Sequence, residues 1–257
     1  MESGTINMYP FSKVDAKDIF DTYFSSNCSF SMIKETTTNM IQAFHNAFAS
    51  GLVCGDSVLD LSFGPIIYPH LAINEFVKEF IMVELNDCCT KLSEQWMNKD
   101  PNACDWSHTI DILSSITGLS DPSEDEEDNL RDKIRQVCKW NHGDDPLPVQ
   151  QCDVGMSIWG LDILSKNHEE YRKNLRKLCE VIKPGGYILI YGSVNATYFK
   201  IGKEKLHYLK CDESFYRKVL CEEGLDIKHC ETFPRVMKCD TVDHEGILFM
   251  VCQKVNP

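Results

Sequence analysis

Short apolar, β-branched runs alternate along the chain with stretches of helical period. "SVLDL" (57–61), "EFIMVEL" (79–85), "CDVGMSIW" (152–159) and "GYILIYG" (186–192) predict buried strands. "HTIDIL" (108–113) alternates and reads as a weaker strand between the second and third of these. "LDIKHCETF" (225–233) and "GILFMVCQK" (246–254) close the set. Apolar positions of helical spacing fall in "NMIQAFHNAFAS" (39–50), "CTKLSEQWMNK" (89–99), "NLRDKIRQVCKW" (129–140), "EEYRKNLRKLCEVI" (169–182) and "DESFYRKVLCEEG" (212–224). Such alternation predicts an α/β fold, a mainly parallel sheet with helices on both faces. Between the last two strands the chain lacks helical period, so they are expected to pair as an antiparallel hairpin, making the sheet mixed.

No internal repeat interrupts this order. "SDPSEDEEDNLRD" reads as a solvated loop and helix start, with Ser123 and Glu126 at capping-box spacing. "DPLPVQQ" (145–151) reads as a surface connection within one unit, so residues 1–257 are expected to form a single domain whose first fifty residues make a helical lid. The formal net charge of −13 argues against a nucleic-acid partner, which calls for a basic surface. "MESGTINMYPFSK" lacks the pattern of a signal peptide, and no run approaches the ~18 apolar residues of a membrane span. The thirteen cysteines are scattered, with no C-x-x-C and no H-x-x-x-H. They read as reduced thiols of a cytoplasmic protein, with no structural disulfide and no metal site.

The candidate chemistry lies at strand ends. "SVLDLSFGPIIY" (57–68) places Asp60, Ser62, Phe63 and Gly64 where the first strand meets a turn, the edge at which open α/β sheets bind ligands. Glu84 ends the second strand, 24 residues after Asp60. A carboxylate there can accept both hydroxyls of a ribose; an ordinary strand-end carboxylate is the other reading. "KPGGYILIYG" is a helix–turn–strand step that supplies no catalytic group. A dinucleotide oxidoreductase would carry G-x-G-x-x-G, whereas this loop reads Leu61-Ser62-Phe63-Gly64-Pro65. Ser62 and Phe63 obstruct a backbone cradle for pyrophosphate, and Pro65 lacks an N–H. A ligand with adenosine but no phosphate needs no cradle, and S-adenosylmethionine fits that description.

"DIFDTYFSS", "GDSVLDLSFGPIIYPHL", "NKDPNACDWS", "LRDKIRQVCKW", "VIKPGGYILI", "ATYFKIG" and "HEGILFMVCQK" together resemble the nicotinamide, phenylethanolamine and indolethylamine (thioether) N-methyltransferases over nearly the whole chain. The resemblance implies a Rossmann-like seven-stranded sheet with an N-terminal lid, the class I S-adenosylmethionine-dependent methyltransferase fold. It implies methyl transfer to a nitrogen of a small acceptor, by a protein expected to be a monomer. The family's cofactor contacts fall on Tyr23 and Phe24 in the lid, on Ser62, Phe63 and Gly64, on Tyr68, on Glu84 in place of an aspartate, and on Asn141 and His142 in place of an Asp-Val pair. Ile19 stands for a lid tyrosine and Cys89 for an asparagine. On the acceptor side Gly192 replaces the nicotinamide enzyme's aspartate, which leaves Ser193, Asn195 and Tyr208 as candidate substrate contacts.

In such a reaction a neutral nitrogen lone pair attacks the sulfonium methyl in line, and the protein mainly positions the reactants. A pyridine nitrogen needs no base, whereas an alkylamine must first lose a proton. With no evident carboxylate on the acceptor side, a weakly basic or uncharged acceptor is expected. Phe63 is expected to turn toward the helix after the loop, and glycine at position 62 to relieve backbone strain and tighten donor binding. The competing reading is a catalytically degenerate methyltransferase-fold protein with a ligand-binding or structural role, suggested by Ile19, Ser62, Phe63, Cys89 and Gly192.

Overall fold

A computed structural model describes residues 15–118, 124–141 and 146–255. Ser123 of the expected capping pair and His142 lie outside the described residues. In chain order the elements are α1 (Ala16–Tyr23), α2 (Phe30–Ile33), a π-helical turn (Lys34–Thr38), α3 (Asn39–Ala49), β1 (Ser57–Asp60), α4 (Tyr68–Ile73), β2 (Glu79–Glu84), α5 (Asp87–Met97), α6 (Ser107–Thr117), α7 (Glu124–Lys133) and β3 (Ile134–Lys139). Then come β4 (Cys152–Ile158), α8 (Gly160–Leu164), α9 (His168–Glu180), β5 (Ile182–Val194), β6 (Tyr198–Ile201), β7 (Glu204–His207), α10 (Glu213–Glu222), β8 (Leu225–Pro234) and β9 (Gly246–Lys254). Side-chain caps set several helix starts: Asp15, Asn86, Asn167 and Asp212 each accept backbone N–H groups of the first turn.

The seven-stranded sheet runs β3-β2-β1-β4-β5-β9-β8, and β6 and β7 form a separate hairpin. Every neighbouring pair from β3 to β5 is parallel, while β9 runs antiparallel to both β5 and β8. The order reverses between β1 and β4, so the ligand edge of such a sheet lies at their carboxyl ends. Period-two alternation divides the core. Val58, Met82, Met156 and Tyr191 face a cluster shared with α1, α3 and α4. Leu59, Val83 and Ile190 face a second cluster with Leu175 and Leu178 of α9 and Val219 of α10.

Two expected elements were misplaced. Residues 108–113 lie within the helix α6, not in a strand. The apparent alternation of Ile110 and Ile112 gives way to burial of Thr109 and Leu113 at i, i+4, and Gly118 ends the helix at φ 72°. The third strand of the sheet is instead Ile134–Lys139, inside the stretch whose spacing predicted a helix over 129–140. Helix α7 stops at Lys133, and β2 takes the next six residues as its edge partner. Tertiary pairing overrides helical spacing there.

At the opposite edge Asp153 ties three strands together. Its carboxylate accepts from Ser57 Oγ at 2.8 Å, from the amides of Asp56 and Ser57 at 3.0 Å, and from Lys183 Nζ at 2.7 Å. Burial alone would raise its pKa, but Lys183 and the Ser57 donors outweigh burial and hold it at about 2. A depressed acid stabilises the fold above its unfolded pKa and loses that contribution as pH falls through the folded one. Asp153→Ala should therefore cost about 2 kcal/mol near neutral pH, and the difference should close as pH drops from 3.8 toward 2. Urea unfolding of both proteins across that range checks it.

All thirteen cysteines are free thiols. Among the described residues no helix is long and apolar enough to cross a membrane, and no group of three His, Cys, Asp or Glu side chains is placed to hold a metal ion.

Candidate active site

The chain beyond β1 stays paired to β4: Leu61 N donates to Met156 O and Phe63 N to Ile158 O, both at 2.9 Å. Ser62 sits between them. Its hydroxyl donates to Asp60 Oδ1 and accepts from Ile158 N at 3.0 Å. The other Asp60 oxygen lies 3.0 Å from Nε2 of the buried His70, outside hydrogen-bond geometry. Both oxygens of Asp60 thus brace the loop from below. Ser62 does not have positive φ, so the expected strain at this position does not exist. Ser62→Gly should strip a buried amide and a buried carboxylate of their partner and destabilise the protein by about 1–3 kcal/mol, rather than tighten donor binding. Thermal unfolding and donor titration of the variant check both halves of that statement.

Gly64 makes the turn at φ 87°, and a Cβ there would lie 3.3 Å from Ile19 and 3.5 Å from Phe24 of the lid. Gly160 is more constrained, since a Cβ would meet Leu61 O at 2.0 Å. The loop after β1 and the start of α8 can be this close only because residue 160 has no side chain.

Glu84, at the end of β2, is buried. Ser93 Oγ donates to its Oε1 at 2.6 Å. Burial pushes its carboxyl up to about 8, against the Ser93 hydrogen bond, with the nearby Asp60 charge adding to the rise. Trp140 N donates to Glu84 O at 2.9 Å, which leaves the next residue, Asn141, exposed at the adjoining edge. Cys89 is buried in the first turn of α5, where its amide donates to Asn86.

The lid is fastened through the π-helical turn. A π turn widens the helix and frees backbone carbonyls. Tyr191 Oη donates to Glu35 O at 2.9 Å and Tyr68 Oη to Thr36 O at 2.6 Å. The Thr36 hydroxyl caps back onto Met32 O and Tyr23 O. Tyr23 Oη donates to Lys200 O at 2.5 Å, joining α1 to the β6–β7 hairpin. Phe24 stacks on Trp159 at 6.4 Å between ring centroids. Trp159 holds φ 55°, a left-handed conformation that costs a non-glycine residue roughly 1–2 kcal/mol. Strain is therefore stored at the end of β4, facing the lid.

Between lid and sheet lies a cavity with about 470 Å³ of space among its lining atoms, part of it continuous with solvent. The lid contributes Tyr23, Phe24, Glu35 and Thr36, the β1 loop Phe63, the end of β4 Trp159, and β5 Ser193. Phe63 does not turn toward the helix after the loop. Its ring lines the cavity and meets Phe199 edge-on at 5.3 Å. Pairing of Phe63 N with β4 fixes that direction.

Two of the three expected substrate contacts meet here. Ser193 and Tyr208 both line the cavity, with Ser193 N donating to Tyr208 Oη at 3.0 Å. Asn195 does not belong to the wall: it turns the chain at φ 59°, and its amide donates to Glu245 at 2.7 Å. Gly192 faces the other side of the sheet, where a Cβ would lie 2.6 Å from Tyr216 Oη and 3.3 Å from Asp162 Oδ2. An aspartate at 192 would not fit there. Burial raises Asp162 to about 7, against the hydrogen bonds of Tyr216 and Tyr208.

The sequence reading missed the most polar part of this wall. Glu35 and His244 are both buried, with Oε2 and Nε2 2.5 Å apart. Glu35 Oε1 also accepts the amides of Val236 and Met237. Burial tends to raise the Glu35 pKa, but His244 and these amides outweigh it and lower it below the usual value. The expected lack of a carboxylate on the acceptor side is therefore corrected. The one local hint was the Thr36-Thr37-Thr38 run, whose stiff side chains suit a regular α-helix poorly.

The family model described as NNMT/PNMT/TEMT family matches residues 6–255. The chain is 26% identical to human nicotinamide N-methyltransferase and 25% to the pig protein, each alignment covering 100% of this chain and 99% of that protein. Rabbit indolethylamine N-methyltransferase is 23% identical over 93% of this chain and 92% of its own. The fold is shared with the Synechocystis magnesium protoporphyrin IX methyltransferase with bound SAM, at TM-score 0.56 and 10% identity over 95% and 93% of the two chains. A glycopeptide N-methyltransferase complexed with S-adenosylmethionine gives TM-score 0.53 at 10% identity over 92% and 91%.

Proposed function

From the chain's membership of the NNMT/PNMT/TEMT family, we propose that it transfers a methyl group from S-adenosylmethionine to an amine or pyridine-type nitrogen of a small molecule. The observation that carries this reading is the place of the cavity. It is lined by Phe63 just past β1 and Trp159 just past β4, the strands between which the order reverses, together with Tyr23, Phe24, Glu35 and Thr36 of the lid.

The residues present suit the donor. Ser93 occupies one oxygen of Glu84, and the other is left for a ribose hydroxyl. Asp60, Ser62 and Gly64 set the loop beneath it, while Asn141 borders the adenine side. Tyr23, Phe24, Phe63 and Tyr68 form or fasten the aromatic cover. When bound, S-adenosylmethionine supplies an electrophilic methyl on a sulfonium. The chain's own work is to orient the acceptor in line, to exclude water with the lid, and to keep an acceptor nitrogen unprotonated. Ser193 and Tyr208 are the β-sheet side of the acceptor pocket.

We read residues 1–257 as one methyltransferase domain with residues 1–50 as its lid, working as a cytoplasmic monomer without nucleic acid. Incubation with methyl-labelled donor and a panel of small amines and pyridines tests the reading. The expected result is an N-methylated product that depends on the protein. Label that stays on the donor across the panel, or moves only to oxygen or sulfur, would count against it.

A further inference from the structure

We infer that the buried Glu35–His244 pair is the proton acceptor of this enzyme, and that it selects acceptors whose nitrogen must lose a proton before methylation. The inference rests on the methyltransferase reading and goes on to name the residues and the acceptor chemistry.

Three observations carry it. First, both residues line the cavity, whose wall also includes Ser193, Tyr208, Phe63 and Trp159. Second, Glu35 is an acceptor on both oxygens: two backbone N–H groups reach Oε1, and Oε2 faces His244 Nε2. An ionised carboxylate so placed keeps the ring hydrogen on Nε2. Third, His244 Nδ1 is buried and has no hydrogen-bond partner among the described residues. With the ring hydrogen on Nε2, this nitrogen offers a lone pair. A buried acceptor without a donor is costly, and a ligand N–H entering the cavity would satisfy it. Carboxylate, imidazole and open lone pair stand in the order used wherever a carboxylate orients a histidine base.

The fold builds this pair from distant parts of the chain. The π-helical turn carries Glu35 to the wall, and Tyr191 Oη holds its backbone carbonyl. Arg235 Nη1 donates to His244 O at 2.6 Å and Nη2 to Cys239 O at 2.8 Å, fixing the loop before β9. Next to His244, Asp243 accepts from Thr197 and the Tyr198 amide, Glu245 accepts from Asn195, and burial holds the nearby tyrosines Tyr23, Tyr191 and Tyr208 well above the usual phenol range. None of the three tyrosines is a competing base.

The step balances simply. An alkylammonium R–NH3+ gives one proton to His244 Nδ1. The freed lone pair forms the N–C bond as the methyl–sulfur bond breaks, and the bond electrons stay on sulfur as the neutral thioether. The product leaves as a methylammonium, and the imidazolium passes its proton to water. A pyridine nitrogen carries no proton to remove and gains nothing from the pair.

The test is a pH profile of kcat/KM for an alkylamine and for a pyridine, in wild type, His244→Gln and Glu35→Gln, with donor affinity measured by calorimetry in each. The amine profile should fall on acidification through a limb that both variants lose. The amine kcat/KM should drop by about 10²-fold in His244→Gln, at least tenfold more than the pyridine kcat/KM, while donor affinity stays within about twofold. Equal losses on amine and pyridine, or an amine limb that persists in His244→Gln, would overturn the assignment. If the variants fail to fold, the wild-type profile decides alone: an amine rate without an acid limb contradicts the proposal. Donor binding without amine binding or turnover refutes the pair as a base but leaves the donor site standing. No donor binding refutes the methyltransferase reading itself.

Discussion

Glu35→Ala is expected to destabilise the protein by about 3–5 kcal/mol, the range for breaking a buried charged network by removing one partner. The carboxylate is 1% exposed, and it answers the Val236 and Met237 amides and the His244 ring together. Its removal leaves the buried His244 ring, the buried Met237 amide and the part-buried Val236 amide without that partner, and unties the π-helical turn from the loop before β9. Glu35→Gln keeps an oxygen for the amides but turns an N–H toward His244, so its loss should be smaller. Chemical denaturation of both variants checks the order: a Glu35→Ala protein as stable as wild type would mean that water replaces the carboxylate, and that the network is an edge feature.

The second large effect concerns pH and Glu84. Its carboxyl rises from an ordinary 4.5 to about 8 because it is buried. For an acid raised in the folded state, the unfolded chain releases its proton first. Stability therefore falls as pH climbs from 4.5 to 8, by up to about 5 kcal/mol from this group alone. Glu84→Gln removes that dependence. Relative to wild type the variant should gain stability at alkaline pH and show no gain in mild acid. Donor binding should follow the opposite trend. Ribose hydroxyls favour the ionised carboxylate, so wild-type affinity should rise toward pH 8 and the variant's should stay flat. Unfolding curves and donor titrations at several pH values measure both, and a Glu84→Gln protein that tracks wild type in each would remove Glu84 from the donor site.

Much of the scaffold was legible because buried parallel strands leave continuous apolar runs. The strands β1, β2, β4 and β5 fell where such runs stood, as did the antiparallel β9, while the edge strand β8 stood at a mixed apolar–polar stretch. The short β6–β7 hairpin left no such run, and β3, an edge strand that buries little beyond Ile134, keeps a pattern close to that of the helix before it. The ligand edge was also legible, since Asp60, Gly64 and Glu84 sit at the strand ends that any sheet of this order presents. Side-chain direction was not. Phe63 points into the cavity because its amide pairs with Ile158, and Asn195 misses the wall because it is spent on Glu245; both facts depend on partners far away in sequence. Glu35 and His244, separated by 209 residues, meet only when the lid docks. No local pattern announces such a pair.

Calorimetric titration of S-adenosylmethionine into the intact protein decides whether this fold holds the donor. Saturable binding of one donor per chain is expected at pH 8 and above, where Glu84 is ionised, weakened about 10- to 150-fold in a folded Glu84→Ala variant, which corresponds to about 1.5–3 kcal/mol for hydrogen bonds to a charged group. Absence of any binding heat at millimolar donor, with the wild-type protein folded, would contradict it.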